Sequence, residues 1–350
     1  MNPARPRSPL RIGILGCANI AKQFSRDVAP SQQTRVVAVA SRNAGTAAAF
    51  ALAQGIGRHH GSYEALLSDQ EVDTVYLPLP NSLHAEWVIK AAEAGKHVLC
   101  EKPLALNRDE AQAMFDAAKR HGVMLLEAYP YYFQPQTGAL LDLLSAGAIG
   151  TVRSIQASFG FSLANPQGNI RMSAELGGGA LLDAGSYPLS LIRLVMGCAP
   201  QRVKADAEWA ETGVDISLTA TLYYADGGRA QLSCAMDTAS HRLAHIVGTQ
   251  GVITTEFLNH TGSPADSPPF GYPSSQLRIR RGTAQTIPFE DIGAGVGSGF
   301  RFAAEAFAKV IEERDFEAVA RAAEASLDNA ATLEALARSA KEARVVELRP

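Results

Sequence analysis

From Leu10 to Glu127, short apolar runs rich in β-branched residues alternate with longer, alanine-rich stretches. LRIGILG, TRVVAVAS, DTVYLPL, KHVLCE and GVMLLEA are nearly continuously apolar, the pattern of strands covered on both faces. Residues 19–29, 44–54, 83–94 and 108–121 instead carry apolar side chains three and four apart and stop near Gly or a turn, which predicts helices. Strands separated by helices predict a doubly wound, parallel α/β domain over residues 1–127. Past Glu127 the period changes to strict alternation at 151–163, 202–211, 214–224, 228–236, 241–248 and 251–257, joined by turns such as Asp226-Gly227-Gly228. This predicts a second, α+β domain over 128–350 built on a large, mostly antiparallel open sheet. Gly179–Met196 is expected as a buried helix, the proline-rich Gly262–Ser275 as a loop, and 298–342 as helix that is free to pack back on the first domain.

Composition narrows the function classes. The 350 residues are 47% apolar with a formal charge of −3, enough to bury a core and too little net charge to offer a broad basic surface to nucleic acid. Cys17, Cys100, Cys198 and Cys234 form no CxxC pair, so reduced thiols are expected rather than disulfides or a thiolate zinc site. The N-terminal residues run into the first strand without the apolar stretch of a signal peptide, and no window is apolar for the roughly 18–20 residues of a membrane span. A cytoplasmic protein with no membrane or nucleic-acid partner is expected. The histidines, including His59, His60, His241 and His245, show no HxxH or HExxH pattern, and no metal is expected.

The candidate chemistry begins where the first strand ends, at Gly13 to Ala21. A dinucleotide site needs a tight turn here so that N–H groups at the following helix can meet a pyrophosphate. Gly16 fits that turn, and Cys17, Ala18, Asn19 and Ile20 follow it, although the fingerprint is degenerate, with Ala18 and Ala21 at the second and third glycine positions. The second strand ends at Ser41-Arg42 with no acidic residue, which favours NADP(H) over NAD(H), because an arginine suits a 2′-phosphate. The alternative for Arg42 is a solvated loop cation. Leu79, Pro80, Asn81 and His84 follow the next strand, and Glu101 and Lys102 the one after, both at carboxyl ends where open α/β sheets place ligands. Because Lys102 precedes Pro103, its backbone is held extended. Asp183 and Tyr187, four apart in the predicted buried helix, are expected on one of its faces.

Together, Glu101-Lys102-Pro103, the Pro80 to His84 turn and the run Gly177 to Asp183 with Tyr187 resemble the Gfo/Idh/MocA family of nicotinamide-dependent oxidoreductases. The resemblance spans nearly the whole chain. A tyrosine four residues after the aspartate is similar to the group holding glucose-fructose oxidoreductase, NADP-dependent xylose dehydrogenase and dimeric dihydrodiol dehydrogenase. It implies an N-terminal Rossmann domain, a C-terminal domain whose open sheet pairs with that of another subunit in a homodimer or homotetramer, and catalytic roles for Lys102, Tyr187 and Asp183.

Residue chemistry agrees with those roles. Moving a hydride between a carbinol carbon and a nicotinamide requires that the hydroxyl proton be exchanged. Lys102 and Tyr187 supply proton transfer and charge stabilisation, the immediate acid/base being left open between them, and Asp183 orients the alcohol or the lysine. Where xylose-dehydrogenase-like sequences read R-F-H-P, this one has Tyr132-Phe133-Gln134-Pro135. Tyr131 and Tyr132 are candidates to stack on a sugar ring or to form an aromatic seam, and Arg171 is either a ligand contact or half of an ion pair. The expected function is an NADP(H)-dependent oxidoreductase of a small sugar-like substrate. A trans-dihydrodiol dehydrogenase or nucleotide-sugar ketoreductase is the alternative, and a nucleotide-binding sensor the non-enzymatic one.

Overall fold

The computed structural model describes residues 9–262 and 272–348. Its elements are β1 (Leu10–Leu15), α1 (Asn19–Val28), β2 (Thr34–Ala40), α2 (Ala44–Gln54), β3 (Arg58–His60), α3 (Tyr63–Leu67), β4 (Thr74–Leu77), α4 (His84–Glu93), β5 (His97–Glu101), α5 (Arg108–Arg120) and β6 (Leu125–Ala128). These are followed by α6 (Pro135–Ser145), β7 (Val152–Ser162), α7 (Ser186–Met196), β8 (Arg202–Trp209), β9 (Asp215–Tyr223), β10 (Arg229–Ala235), β11 (Asp237–Gly248), β12 (Gly251–Glu256) and β13 (His260–Thr261). The chain ends with β14 (Leu277–Arg281), β15 (Glu290–Asp291), β16 (Gly297–Ser298), α8 (Gly299–Glu313), α9 (Phe316–Glu342) and β17 (Val346–Glu347). No helix among the described residues is long and apolar enough to cross a membrane.

Two compact units result. The first comprises residues 1–104, 109–130 and 298–323, and the second residues 105–108, 131–297 and 324–350. In the first, the five apolar runs form the expected parallel sheet, joined at its edge by β3, in the order β3-β2-β1-β4-β5-β6. The strand order reverses between β1 and β4, and ligands bind at the carboxyl ends beside such a switch point. Its core joins Ile12, Ile14, Phe24, Tyr76 and Leu99 to Phe300 and Phe307 of α8, with Phe24 and Tyr76 stacked at 3.8 Å. The short polar strand β3 and the five-residue α3 were not expected from the sequence, because Arg58-His59-His60 carries no apolar pattern.

The second unit carries a nine-stranded sheet, β15-β14-β12-β11-β7-β10-β9-β8-β17, antiparallel except where β7 and β10 run parallel. Buried Ile155, Ala157, Ala205, Ala220, Leu232 and Ala244 alternate with exposed polar residues such as Gln156, Asp206, Thr219, Gln231 and His245. One face is therefore an internal packing surface, and the other is open in the single chain. The predicted helix over Gly179–Met196 is divided: Leu181–Gly185 forms a wide π-type turn that leads into regular α7. Part of the predicted loop Gly262–Ser275, residues 263–271, lies outside the described residues.

Candidate active site

In the first unit, the residues expected at a dinucleotide site gather at the carboxyl ends of β1, β2, β4 and β5. Gly16 has φ +112, and a Cβ there would sit 3.0 Å from Leu79 Cδ2, so only glycine makes this turn without strain. The Gly16 N–H donates to Ala40 O at 2.9 Å, which brings the first turn against the end of β2, and the Cys17 thiol lies 4.0 Å from Thr46 O of α2. Burial pushes the Cys17 thiol up, so it is not a poised thiolate. Helix α1 starts after Ala18, an extended residue whose side chain caps nothing, and no acidic side chain stands in its first turn. That leaves the helix N-terminus suited to an anion. Asn19 accepts from Lys22 Nζ at 3.2 Å, and Ile20 packs on the core. Arg42 is exposed, close enough to Tyr63 to favour its ionised form, while burial pushes the Tyr63 phenol up. These features fit a phosphorylated dinucleotide: a side-chain-free turn, an uncapped helix start, and a cation and a hydroxyl at the neighbouring strand end.

The turn that carries Lys102 is braced on several sides. Glu101, 8% exposed, accepts from Tyr76 Oη at 2.6 Å and from the Lys102 N–H at 3.3 Å. Glu127 Oε1 accepts the Leu104 N–H at 2.8 Å. His84 is fully buried, with Nδ1 2.9 Å from Pro103 O and Nε2 2.9 Å from Leu79 O. The imidazole thus ties the Leu79–Asn81 segment, where Pro80 leads into the one-turn helix Asn81–Leu83, to the lysine turn. Two ring nitrogens on two carbonyls call for two N–H groups, yet burial pushes the His84 pKa down. His84 and Glu101, both expected beside the cofactor, also brace the loops around Lys102. His84→Ala takes the donor from a buried carbonyl, at about 1–3 kcal/mol, and is expected to lower the denaturant midpoint in urea melts.

In the second unit, the glycine run meets the chain that precedes it. A Cβ on Gly178 or Gly179 would collide with the Arg171 carbonyl or the Asp215 carboxylate. Asp215 Oδ2 accepts the Leu181 N–H at 2.6 Å and so opens the wide turn that holds Asp183. Asp183 pairs with Arg171, Oδ2 to Nε at 2.5 Å, and the Arg171 side chain stays 40% exposed. Tyr131 is fully buried with its hydroxyl 2.8 Å from Ser190 Oγ, and Tyr132 Oη donates to Ser190 O at 3.0 Å, which ties both to α7.

Tyr187, 5% exposed, lies in the first turn of α7, and its oxygen accepts from Asn259 Nδ2 at 2.9 Å. The Arg242 guanidinium lies 3.9 Å from the Phe159 ring centre and 4.2 Å from that of Tyr187. Burial pushes its pKa down, while Tyr187, Tyr131 and Asp183 favour its charge. Neither Arg242 nor Asn259 was expected from the sequence. The only signal is the pairing of β11 with β7, which sets Arg242 opposite Phe159. Among the described residues no group of three or more His, Cys, Asp or Glu is arranged to hold a metal ion.

A parallel sheet with a dinucleotide turn at its switch point is the arrangement of a dinucleotide-binding domain, here joined in one chain to a second unit built on a mostly antiparallel sheet. Residues 10–129 match the oxidoreductase family described as an NAD-binding Rossmann fold, and residues 138–254 match the GFO/IDH/MocA C-terminal domain. The chain belongs to the GFO/IDH/MocA oxidoreductase family. It is 34% identical to a D-xylose 1-dehydrogenase (NADP(+)) of Haloferax volcanii, over 97% of this chain and 100% of the relative. It is 37% identical to a trans-1,2-dihydrobenzene-1,2-diol dehydrogenase of Danio rerio, over 70% of this chain and 73% of the relative. Its structure is similar to that of a 3-ketoreductase from Actinomadura kijaniata in complex with NADP and TDP-benzene, with TM-score 0.82 and 33% identity, covering 95% of this chain and 98% of the other. The chain is accordingly an oxidoreductase acting on CH–OH groups.

Proposed function

We propose that the protein is an NADP(H)-dependent oxidoreductase that interconverts a carbinol and a carbonyl on a sugar or sugar derivative. The observation that carries this reading is the bracing of Lys102: three buried side chains, Glu101, Glu127 and His84, hold its turn at the carboxyl end of β5. A rigidly held lysine suits a group that must meet one substrate atom. The bound nicotinamide supplies or accepts the hydride. The Lys102 ammonium stabilises negative charge on the substrate oxygen, and Tyr187 exchanges the hydroxyl proton. Asp183 and Arg171, held together as an ion pair, orient the substrate around Tyr187.

Arg42 and Ser41 bind the adenosine 2′-phosphate and set the preference for NADP(H) over NAD(H). Loss of one charge-assisted contact costs about 1.5–3 kcal/mol, so Arg42→Ala is expected to weaken NADP+ binding by about tenfold or more while NAD+ binding holds within about twofold. Fluorescence titration with both nucleotides checks this, and unchanged NADP+ affinity overturns the role of Arg42. The open face of the nine-stranded sheet is the surface through which two or four copies associate, which sedimentation equilibrium tests.

A substrate panel of aldoses, inositols, trans-dihydrodiols and nucleotide-linked sugars separates the sugar reading from its rivals. The 3-ketoreductase bound to TDP-benzene favours inclusion of the nucleotide-linked class. Reduction of NADP+ with an aldose supports the proposal. Binding of NADPH without turnover on any member supports a nucleotide sensor instead.

A further inference from the structure

Two arginines of the second unit stand along one row of aromatic side chains. Phe159 and Phe161, two apart on β7, share a face with buried Ile155 and Ala157, and their ring centres are 5.8 Å apart. The Arg242 guanidinium lies 3.9 Å from the centre of Phe159, and that of Arg171 lies 5.9 Å from the centre of Phe161. Tyr187 meets the same row, edge-on to Phe159 at 5.5 Å.

The charges in this cluster do not balance. Arg242 Nη1 lies 3.1 Å from Asn259 Oδ1 and 3.5 Å from Phe257 O, and the Tyr187 phenol is within its reach. Among the described residues it forms no ion pair with a carboxylate, and Asp183 favours its charge from beyond ion-pair distance. A desolvated guanidinium is ordinarily matched by an anion. Arg171 gives Asp183 its Nε alone, so Nη1 and Nη2, on a side chain 40% exposed, have no hydrogen-bond partner among the described residues. Those two nitrogens form a planar fork that fits two oxygens of a carboxylate or a phosphate. The backbone of Arg171 is held as well, its carbonyl accepting the Gly179 N–H at 2.9 Å and its N–H donating to Asn169 Oδ1 at 3.1 Å. Two guanidinia thus face one carboxylate beside Tyr187, and the fork belongs to a pinned residue.

We propose that the substrate carries an acidic group, a carboxylate or a phosphate, on a carbon other than the one that reacts, and that Arg171 Nη1 and Nη2 receive it while Arg242 adds the second positive charge. The proposal rests on the reading of the protein as an oxidoreductase of sugar derivatives with Tyr187 at the reacting oxygen. Arg171 selects the substrate and exchanges no proton. A neutral sugar leaves the fork to water, whereas an acidic one replaces that water with two charge-assisted hydrogen bonds.

The test sets glucose and galactose beside their uronic acids and their 6-phosphates. Calorimetric titration into the NADPH complex, where an alcohol finds no hydride acceptor, measures binding without turnover. The expected result is that at least one acidic sugar binds about tenfold or more tightly than its neutral counterpart. That ratio falls to within about threefold in Arg171→Gln and is intermediate in Arg171→Lys, which keeps the charge and loses the fork. With NADP+, the same preference appears in kcat/KM and is carried by KM. A preference for the uronic acids identifies a carboxylate, and one for the 6-phosphates a phosphate; either supports the inference. If Arg171→Gln does not fold, the wild-type ratio and Arg171→Lys decide. Equal or tighter binding of the neutral sugars, no measurable binding of either class, or an acidic-to-neutral ratio unchanged in the Arg171 variants overturns the inference. Turnover of neutral sugars at least as fast as acidic ones, lost in Lys102→Met and Tyr187→Phe, also overturns it and leaves the proposed function standing. Binding of an acidic sugar that depends on Arg171, without turnover of any substrate, supports the anion site and removes the reaction.

Discussion

Lys102→Met is expected to lower kcat by ~10²–10⁴, with little change in unfolding midpoint or NADPH affinity. Methionine matches the lysine stem in length and apolar character but carries no charge. The bonds that brace its turn, from Tyr76 to Glu101, from His84 to Pro103 O and Leu79 O, and from Leu104 to Glu127, do not use the lysine's side chain. The variant therefore keeps the loop and loses the ammonium that meets charge on the substrate oxygen. A hundredfold loss corresponds to about 2.7 kcal/mol of transition-state stabilisation, a usual magnitude for one charged group aimed at a developing oxyanion. Stopped-flow single-turnover rates, which separate hydride transfer from product release, are the measurement. A rate within about tenfold of the wild type would remove Lys102 from the chemistry.

Tyr187→Phe is expected to cause a loss of the same order by deleting a single oxygen. The ring keeps its neighbours, Phe159 at 5.5 Å, Tyr131 at 6.1 Å and the Arg242 guanidinium above it. The Asn259 amide loses an acceptor, which costs about 1 kcal/mol of stability. The kinetic loss thus exceeds the structural one, and thermal melts alongside turnover show the difference. Under the proposed roles, in which Lys102 and Tyr187 serve one proton transfer, the double variant is expected to be no slower than the slower single variant within about threefold. Strictly multiplicative losses would mean that the two residues serve separate steps.

Much of the architecture is legible in the sequence, for identifiable reasons. Strands β1, β2, β4, β5 and β6 are largely buried on both faces, so their apolar runs are nearly continuous, and α1, α4 and α5 between them carry an apolar stripe. Strand β3 is three polar residues long and lies at the sheet edge, so nothing in its composition marks it. Helix α6 follows Tyr131-Tyr132-Phe133-Gln134-Pro135, where aromatic and proline residues mask its start. The π-type turn at Leu181–Gly185 was read as ordinary helix, since five residues cannot separate its wider period from that of an α-helix. In the site, Lys102, Asp183 and Tyr187 stand in compact motifs, and Gly16, Ser41 and Arg42 at strand ends. Arg242 and Asn259 reach Tyr187 only through the pairing of β11 with β7 and the loop after β12. Contacts across such separations leave no local spacing to read.

The proposed reaction moves a hydride between NADP(H) and a sugar-like alcohol. Its most direct test follows the absorbance of reduced nicotinamide in purified protein given NADP+ or NAD+ and each member of the panel, beside Lys102→Met and Tyr187→Phe. The account predicts turnover of at least one aldose or sugar derivative, a higher kcat/KM with NADP+ than with NAD+, and loss of that activity in both variants. Tight NADPH binding with no turnover across the panel, or a kcat/KM favouring NAD+, would contradict it.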